Sequence, residues 1–301
     1  MTNDLPSFKN LFYLVNLHQE LNFHRAADAC GVSQSTLSTG IKNLEEVLGD
    51  KLLERHGNTF TFTVIGEDVV QRSRKLLAEA NDMVALVRQQ GNVMTGDVRL
   101  GCISSIALFV IKSIFKHCDE AYPDLNLTIR EDSTSELIDA LTKGELDMIF
   151  VAQPVDIGNH HYMKVGIDPF KFVVHPDLAE RLGEPLNYQD LPDDSIYLLR
   201  GESSMSETEL GAFFLDNKKK ISHQSATSLQ TLALLVDAKV GATFLPQMAI
   251  DYGLVKSSHA IVMQPPGEAP YREIGLMWRK SSIKVATLRT LGLAIQKLRY
   301  G

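Results

Sequence analysis

Between residues 23 and 62 the hydrophobic period of the chain changes from helical to alternating across two glycine-marked turns, and this most narrows what it can fold into. Phe23, Ala26, Ala27 and Cys30 form a short apolar face. Gly31 then permits the left-handed backbone that ends a helix tightly. Val32 packs into the turn, and Ser33 is placed to cap a further helix whose Leu37, Ile41, Leu44 and Leu48 must face inward. The small Ala26, Ala27 and Ala29 let two helices cross closely, as a helix-turn-helix requires. After Gly49 the period falls to two: LLERHGNTFTFT reads as a strand, a His-Gly-Asn turn and a second strand carrying Phe60 and Phe62. Upstream, Phe8, Leu11, Phe12 and Val15 mark the apolar stripe of a first helix with Ser7 as its cap. Three helices followed by a hairpin describe a winged helix-turn-helix.

Outside the apolar stripe, the third helix begins with Gln34, Ser35, Ser38, Thr39 and Lys42. Amides, hydroxyls and one cation suit a helix in the major groove of DNA, where they meet base edges and phosphates. Arg55, at the base of the hairpin, is placed to reach a phosphate. Charge argues the other way. The chain carries a net −7, and residues 1–66 hold five bases (Lys9, Arg25, Lys42, Lys51, Arg55) against seven acids (Asp4, Glu20, Asp28, Glu45, Glu46, Asp50, Glu54). Phosphate neutralisation supplies most non-specific affinity, so an isolated head should bind weakly and an oligomer should present several. On spacing alone, a helical hairpin that merely packs stays open.

The run AADACGVSQSTLSTGIKNLEEVLGDKLLERHGNTFTFTVIGE resembles the signature of the LysR-type transcription regulators. The likeness lies in the Ala-Ala pair, the Val-Ser-Gln-x-x-Leu-Ser turn and helix start, the Leu-Glu-x-x-Leu-Gly exit and the Leu-Leu-x-Arg strand. It implies that Ser33, Gln34, Ser35, Ser38 and Thr39 lie at the DNA-facing start of the recognition helix, and that Arg55 is the wing arginine. Ser35 stands where the family usually has proline, and Thr39-Gly40 where Gly-Gln or Arg-Gln is common. Those departures bear on base preference, not on the fold.

From Glu67 to Gln90 a long helical pattern repeats every seven residues through Val70, Leu77 and Val84 and through Ser73, Ala80 and Val87, flanked by Val69, Leu76 and Met83. Such a stripe favours pairing with a second helix, although it could fold onto the chain's own core. GNVMTGD follows as a hinge marked by Gly91 and Gly96. Beyond it strands and helices alternate in two successive units, giving an α/β domain of parallel-sheet character. Its strands are expected at VRLGCIS, LNLTIRE, LDMIFVA, FKFVVHPDL, SIYLLRG, ATFLP and YREIGLMWR. Helices are expected at 107–121, 136–143 and 207–215, after Ala226-Thr227-Ser228, and from Ile283. The expected organisation is a winged helix-turn-helix head at 1–66, a linker helix and hinge at 67–96, and a two-lobed, periplasmic-binding-protein-like α/β effector domain at 97–301.

Ligands of open α/β sheets bind beyond the carboxyl ends of the strands. There the chain places Ser104 and Ser105, Thr134, Gln153, Ser203 and Ser204, and Thr227 and Ser228. Hydroxyls and N–H groups at helix starts suit a small polar or anionic effector, while each serine alone reads as a helix cap. Within the family the second-lobe segments ATSLQTLALLVDAKVGATFLP and YREIGLMWRKSS resemble the OxyR-like, peroxide-sensing subgroup. That likeness puts Ser204 and Phe213 where the subgroup keeps its two redox cysteines, and neither can form a disulfide. Cys30, Cys102 and Cys118 are too few and too irregularly spaced for a disulfide framework or a zinc site, and the latter two read as structural. No phosphate loop, His-Glu-x-x-His or nucleophile elbow is present, and His160, His161 and His223 have no partner at useful spacing. Neither catalysis, a cofactor nor a metal is expected.

The start has no signal-peptide pattern and no apolar run approaches roughly 18 residues, so a cytoplasmic protein away from membranes is expected. Its expected partners are promoter DNA, a small effector, further copies of itself as a dimer of dimers, and RNA polymerase as a candidate. The competing readings are a redox- or peroxide-responsive regulator with a non-standard mechanism, and an α/β solute-binding protein or enzyme with an incidental helical head.

Overall fold

The computed structural model describes residues 5–57, 59–89, 93–183, 190–199, 218–265 and 270–298. They form two compact units, one built on residues 1–90 and one on most of residues 91–301. The first opens with helices α1 (Phe8–Glu20), α2 (Phe23–Ala29) and α3 (Gln34–Leu48), then the antiparallel hairpin β1 (Leu53–His56) and β2 (Thr59–Phe62). Every helix start of the trio is capped by a side chain: Ser7 accepts from Asn10 N–H, Asn22 from His24 and Arg25 N–H, and Ser33 from Thr36 N–H. Such caps are each worth about 0.5–2 kcal/mol. Gly31 and Gly49 take the left-handed conformation that ends α2 and α3.

The core of this unit is Leu11, Leu14 and Leu17 with Tyr13 on α1, Ala26 and Ala27 on α2, Leu37, Ile41 and Leu44 on α3, and Leu52, Leu53 and Val70. Two expectations need correction. Phe8 and Phe12 do not join the α1 stripe; they are 55% and 43% exposed, because the leucines three residues apart take the inward face. Leu48, the last residue of α3, has passed beyond the core and is also exposed.

Helix α4 (Val64–Gln89) leaves the wing directly, three residues earlier than the sequence pattern placed it. Val70 is fully buried in the head core, and Val69 and Leu77 pack against it. The heptad row assigned to a partner helix is therefore spent, over its first half, on the chain's own α1. His18 of α1 fixes this contact. One ring nitrogen lies 2.8 Å from the Glu67 carboxylate and the other, Nδ1, 3.0 Å from an Arg74 guanidinium nitrogen, while the ring meets Phe62 edge-on at 4.9 Å. A guanidinium only donates, so Nδ1 accepts and the proton sits on Nε2, donated to Glu67.

The second unit is a mixed sheet: the expected parallel pairing occurs within each lobe, and antiparallel pairing joins the two. Its strands are β3 (Gly96–Cys102), β4 (Leu125–Glu131), β5 (Met148–Ala152), β6 (His160–Val174), β7 (Ile196–Leu199), β8 (Ile221–Ala226), β9 (Ala242–Pro246), β10 (Ile261–Met263) and β11 (Tyr271–Arg279). They run in the order β4-β3-β5-β11-β6-β9-β7-β8, with β10 paired to β6. Two parallel trios, β4-β3-β5 and β8-β7-β9, are the sheets of two lobes. The long β6 joins them: residues 160–169 pair antiparallel with β11, and Phe170–Val173 pair with β9. Helices α5 (Ser104–Ala121), α6 (Thr134–Thr142) and α10 (Val285–Lys297) belong to the first lobe, and α7 (Pro176–Leu182), α8 (Leu229–Asp237) and α9 (Gln247–Asp251) to the second. The helix expected at 207–215 and Gly91 of the expected hinge lie outside the described residues.

No helix among the described residues is long and apolar enough to cross a membrane. At the amino-end of β5 the buried Asp147 gathers Arg99 and Lys284 at 3.1 Å each. Burial alone would raise its carboxyl, but the Arg99 hydrogen bond and the two charges outweigh it and hold it below the usual carboxylate range.

Candidate DNA interface and interlobe cleft

The recognition helix is held by what lies behind it. Glu45, buried on the inner face of α3, accepts hydrogen bonds from the N–H groups of Leu52 (2.9 Å) and Leu53 (3.3 Å) and pairs with Lys51 at 3.1 Å. It thereby ties the wing to the end of the helix. Gly40 lets α1 come against α3: a Cβ there would sit 2.6 Å from the Tyr13 ring.

In front, Ser33, Gln34, Ser35, Thr39 and Lys42 are exposed and Ser38 is half-buried. The Ser33 hydroxyl lies 2.9 Å from that of Ser35, so the serine standing where the family has proline joins the cap. Lys42 pairs with Glu46 at 3.6 Å. Arg55 reaches across from the wing: its guanidinium lies 3.5 Å from Ser38 Oγ and 5.4 Å from the Phe23 ring centre. A hollow of about 840 Å3, bordered by Phe23, His24, Gln34, Thr59 and Phe60, opens between α2, the start of α3 and the wing. The sequence-predicted residues thus share one solvent-facing side of the head, with Arg55 joined to the helix it flanks.

In the second unit, Ser104 and Ser105 at the start of α5 and Thr227 and Ser228 before α8 line one narrow cleft of about 20 Å3, with Leu108, Leu199 and Gln230. Four of the expected effector residues, two from each lobe, are thus brought together. Ser228 caps α8, accepting from Thr231 N–H at 3.1 Å, whereas α5 has no side-chain cap at Ile103. The positive end of an 18-residue helix therefore faces the cleft without a capping oxygen of its own. Thr134, the first residue of α6, and Gln153, which follows β5 and accepts from Val155 N–H at 2.8 Å, are not part of the lining. Ser203 and Ser204 lie outside the described residues.

Sequence reasoning missed a buried ion pair that is bonded to Ser105 of this cleft. Arg272, fully buried at the start of β11, donates to Ser105 Oγ (2.7 Å) and Ser105 O (3.0 Å), and its Nε donates to Asp168 on β6 (3.0 Å). The other Asp168 oxygen accepts from Met248 N–H of α9 at 3.1 Å. Burial pushes the Asp168 carboxyl above the usual range, against the pull of the Arg272 charge. One ion pair therefore touches α5 of the first lobe, α9 of the second and both strands that join them.

Cys118 is buried, its thiol pushed up to about 11 by burial and the neighbouring Asp119 charge; burial also raises Cys30. Neither is poised as a thiolate. Among the described residues no group of three or more His, Cys, Asp or Glu could hold a metal ion.

Comparison with known proteins places both units. Residues 8–67 match the family described as "Bacterial regulatory helix-turn-helix protein, lysR family", and residues 91–297 match "LysR substrate binding domain". The chain is 32% identical over 278 residues to the HTH-type transcriptional regulator EstR of Acinetobacter baylyi, covering 92% of both chains. It is 32% identical over 281 residues to the hydrogen peroxide-inducible genes activator of Haemophilus influenzae, covering 92% of this chain and 91% of that one. Its fold is similar to a full-length OxyR variant from Pseudomonas aeruginosa (27% identity, TM-score 0.74, 98% of this chain and 96% of that one). The regulatory domain of reduced OxyR2 from Vibrio vulnificus is similar at 41% identity and a TM-score of 0.65, over 69% of this chain and 98% of that one. That family is one of transcription regulators. The chain belongs to the LysR family: it is a LysR-type transcription regulator, with a helix-turn-helix head for DNA and a two-lobed effector-binding domain.

Proposed function

We propose that this regulator reads promoter DNA in the cytoplasm through Ser33, Gln34, Ser35, Ser38, Thr39, Lys42 and Arg55, under control of a small polar or anionic effector held between its lobes. The observation that carries this reading is the interlobe cleft, where the uncapped start of α5 and the hydroxyls of Ser104, Thr227 and Ser228 face one space. Exposed N–H groups at a helix start favour an anion. The cleft, at about 20 Å3, is far smaller than the ~300–1,000 Å3 of ordinary ligand pockets, so the effector would part the lobes to enter. An effector shifts the regulator only by binding its two conformations unequally, and contacts from both lobes supply that difference. A gel-shift titration with the gene's own upstream DNA tests the DNA half. Gln34→Ala should lose ~1–3 kcal/mol of discrimination at one base pair, and equal losses on specific and random duplexes would count against Gln34 as a base reader.

The sensor works, on this reading, without thiol chemistry, since the likeness to the OxyR-like subgroup puts Ser204 and Phe213 at its cysteine positions. A variant with Cys30, Cys102 and Cys118 all replaced by alanine should keep its response to the inducing condition. A folded variant that no longer responds would make the sensor redox-based.

Self-association completes the reading: a dimer through α4 and a dimer of dimers through the effector domains. Leu77, the residue the heptad pattern singles out, packs on the head. The stripe left open on α4 is Leu76, Met83 and Val84, exposed by 49%, 62% and 46%. Leu76→Lys should therefore weaken dimerisation in sedimentation runs at unchanged head stability, whereas Leu77→Lys should lower head stability first. The reverse pattern would place the partner helix elsewhere.

A further inference from the structure

We propose that Lys9 of α1 is a second phosphate anchor of the head, gripping the DNA strand that borders the recognition helix on the side away from the wing. The inference rests on the DNA-binding reading above and adds a residue that the recognition-helix pattern does not contain.

Its first support is the fate of the head's five cations. Arg25 pairs with Glu20 at 3.0 Å, Lys42 with Glu46 at 3.6 Å and Lys51 with Glu45 at 3.1 Å. Each spends its charge on a neighbouring acid. Lys9 and Arg55 have no carboxylate partner among the described residues. In a slightly acidic head they are the two cations whose charge is open to a phosphate, and phosphate contacts set register and most of the salt-dependent affinity.

Their placement is the second support. Arg55 comes from the wing and touches Ser38. Lys9 borders a hollow of about 640 Å3 between α1 and the adjacent face of α3, lined by Asn10, Tyr13, Thr39, Gly40 and Asn43 among others, with no acid in its lining. Ser38 and Thr39 are successive residues, about 100° apart around the helix, so the two cations flank α3 on different sides. A helix in the major groove, roughly 12 Å wide, has a phosphate backbone on either hand, and the head offers one open cation to each.

The hollow is also built to hold the ammonium. The Lys9 Nζ lies 5.7 Å from the Tyr13 ring centre, a cation–π arrangement that orients the side chain. That ring is 2% exposed, wedged under Gly40, and its hydroxyl has no hydrogen-bond partner among the described residues. Asn10 and Asn43 add amide donors at the rim.

The salt dependence of DNA binding by the full chain tests this directly. Binding constants are measured over a potassium chloride series on the gene's upstream duplex and on a random duplex, for the unmodified protein, Lys9→Gln, Lys9→Arg and Arg25→Gln. Lys9→Gln should flatten the log–log slope by about 0.9 per bound head and weaken both duplexes by the same factor. Lys9→Arg should restore the slope, and Arg25→Gln should leave it near the unmodified value. An unchanged slope for Lys9→Gln overturns the assignment. So does an equal change for Arg25→Gln, because any lost charge would then act alike. If the unmodified protein shows no salt-dependent binding to either duplex, it is the DNA-binding reading that fails.

Discussion

Replacing Arg272 by methionine is expected to destabilise the effector domain by about 3–5 kcal/mol, the usual cost of removing one partner from a buried ion pair. Asp168 would keep only the Met248 N–H as a named partner, and Ser105 would lose the donor that both its hydroxyl and its carbonyl accept from. The loss should depend on pH. In the native protein the Asp168 carboxyl already lies above its ordinary value because burial outweighs the Arg272 charge. A group raised on folding contributes stability below its unfolded pKa and loses it as pH rises through the folded value. Without the guanidinium the carboxyl rises further, so Arg272→Met should be less crippled in mild acid than near neutrality. Asp147, held low by Arg99 and Lys284, acts with the opposite sign and weakens the fold as pH falls. Adding Asp168→Leu to Arg272→Met should recover most of the loss, since replacing a buried pair by apolar side chains is often neutral or better. Urea unfolding at two pH values decides the matter. A midpoint for Arg272→Met equal to that of the unmodified protein would show that the pair carries no such weight.

The place of this pair matters for signalling as well as for stability. Arg272 and Asp168 lie on the two strands that join the lobes, and their remaining bonds reach α5 on one side and α9 on the other. A ligand that parts the lobes must either carry this cluster along as a rigid hinge or strain it. Small movements at a packed, hydrogen-bonded junction tend to be resolved into discrete states, because such junctions deform poorly by continuous bending. The cleft residues Ser104, Thr227 and Ser228 would supply the ligand contacts and the pair bonded to Ser105 the mechanical resistance.

The head was legible in the sequence because each of its signals is local. Ser33 caps the helix it precedes, Gly31 turns where a glycine is needed, and Phe60 and Phe62 alternate within one short strand. The effector domain was harder to read because its decisive contacts are distant in sequence. Residues 160–169 of β6 contain Gly166 and Pro169 and show no clean alternation, so nothing local marks them as strand. They become one by pairing with β11, about a hundred residues later. Arg272 did leave a trace. At the start of β11 the exposed Tyr271 and half-buried Glu273 alternate with the buried Arg272 and Ile274, so the period of two there puts a guanidinium on the inward face, where a charge needs a partner. Finding Asp168 as that partner takes the register of β6 against β11, which no local pattern carries. The heptads of α4 mark an apolar face without saying what covers it: Val70 and Leu77 repeat as a dimer seam would, yet both pack on the head core.

Gly66→Ala is expected to lower head stability by about 1–3 kcal/mol or more, although alanine is the better helix former by roughly 1 kcal/mol. A Cβ at Gly66 would fall 2.2 Å from the carbonyl oxygen of Leu52, and a backbone oxygen cannot rotate aside as a side-chain tip can. That carbonyl also accepts from Thr63 N–H at 3.0 Å, while Thr63 Oγ1 donates to Lys51 O at 2.8 Å and accepts from Gly66 N–H at 2.9 Å. The clash therefore lands on the joint that fastens the start of α4 to the strand segment pinned by Glu45. Relief requires the first turn of α4 to tilt away, and the tilt strains Val70 and the His18–Arg74 contact further along the same helix. Since α4 also carries the exposed stripe through which two heads would be paired, the tilt should misplace one recognition helix relative to the other. Specific DNA binding should then fall by a larger factor than random-duplex binding, which needs only phosphate contacts. Thermal melting and paired gel-shift titrations of the full chain read both effects. A variant that melts as high as the unmodified protein and keeps its preference for the specific site would show that the joint tolerates a methyl group and that its tight fit sets neither stability nor head spacing.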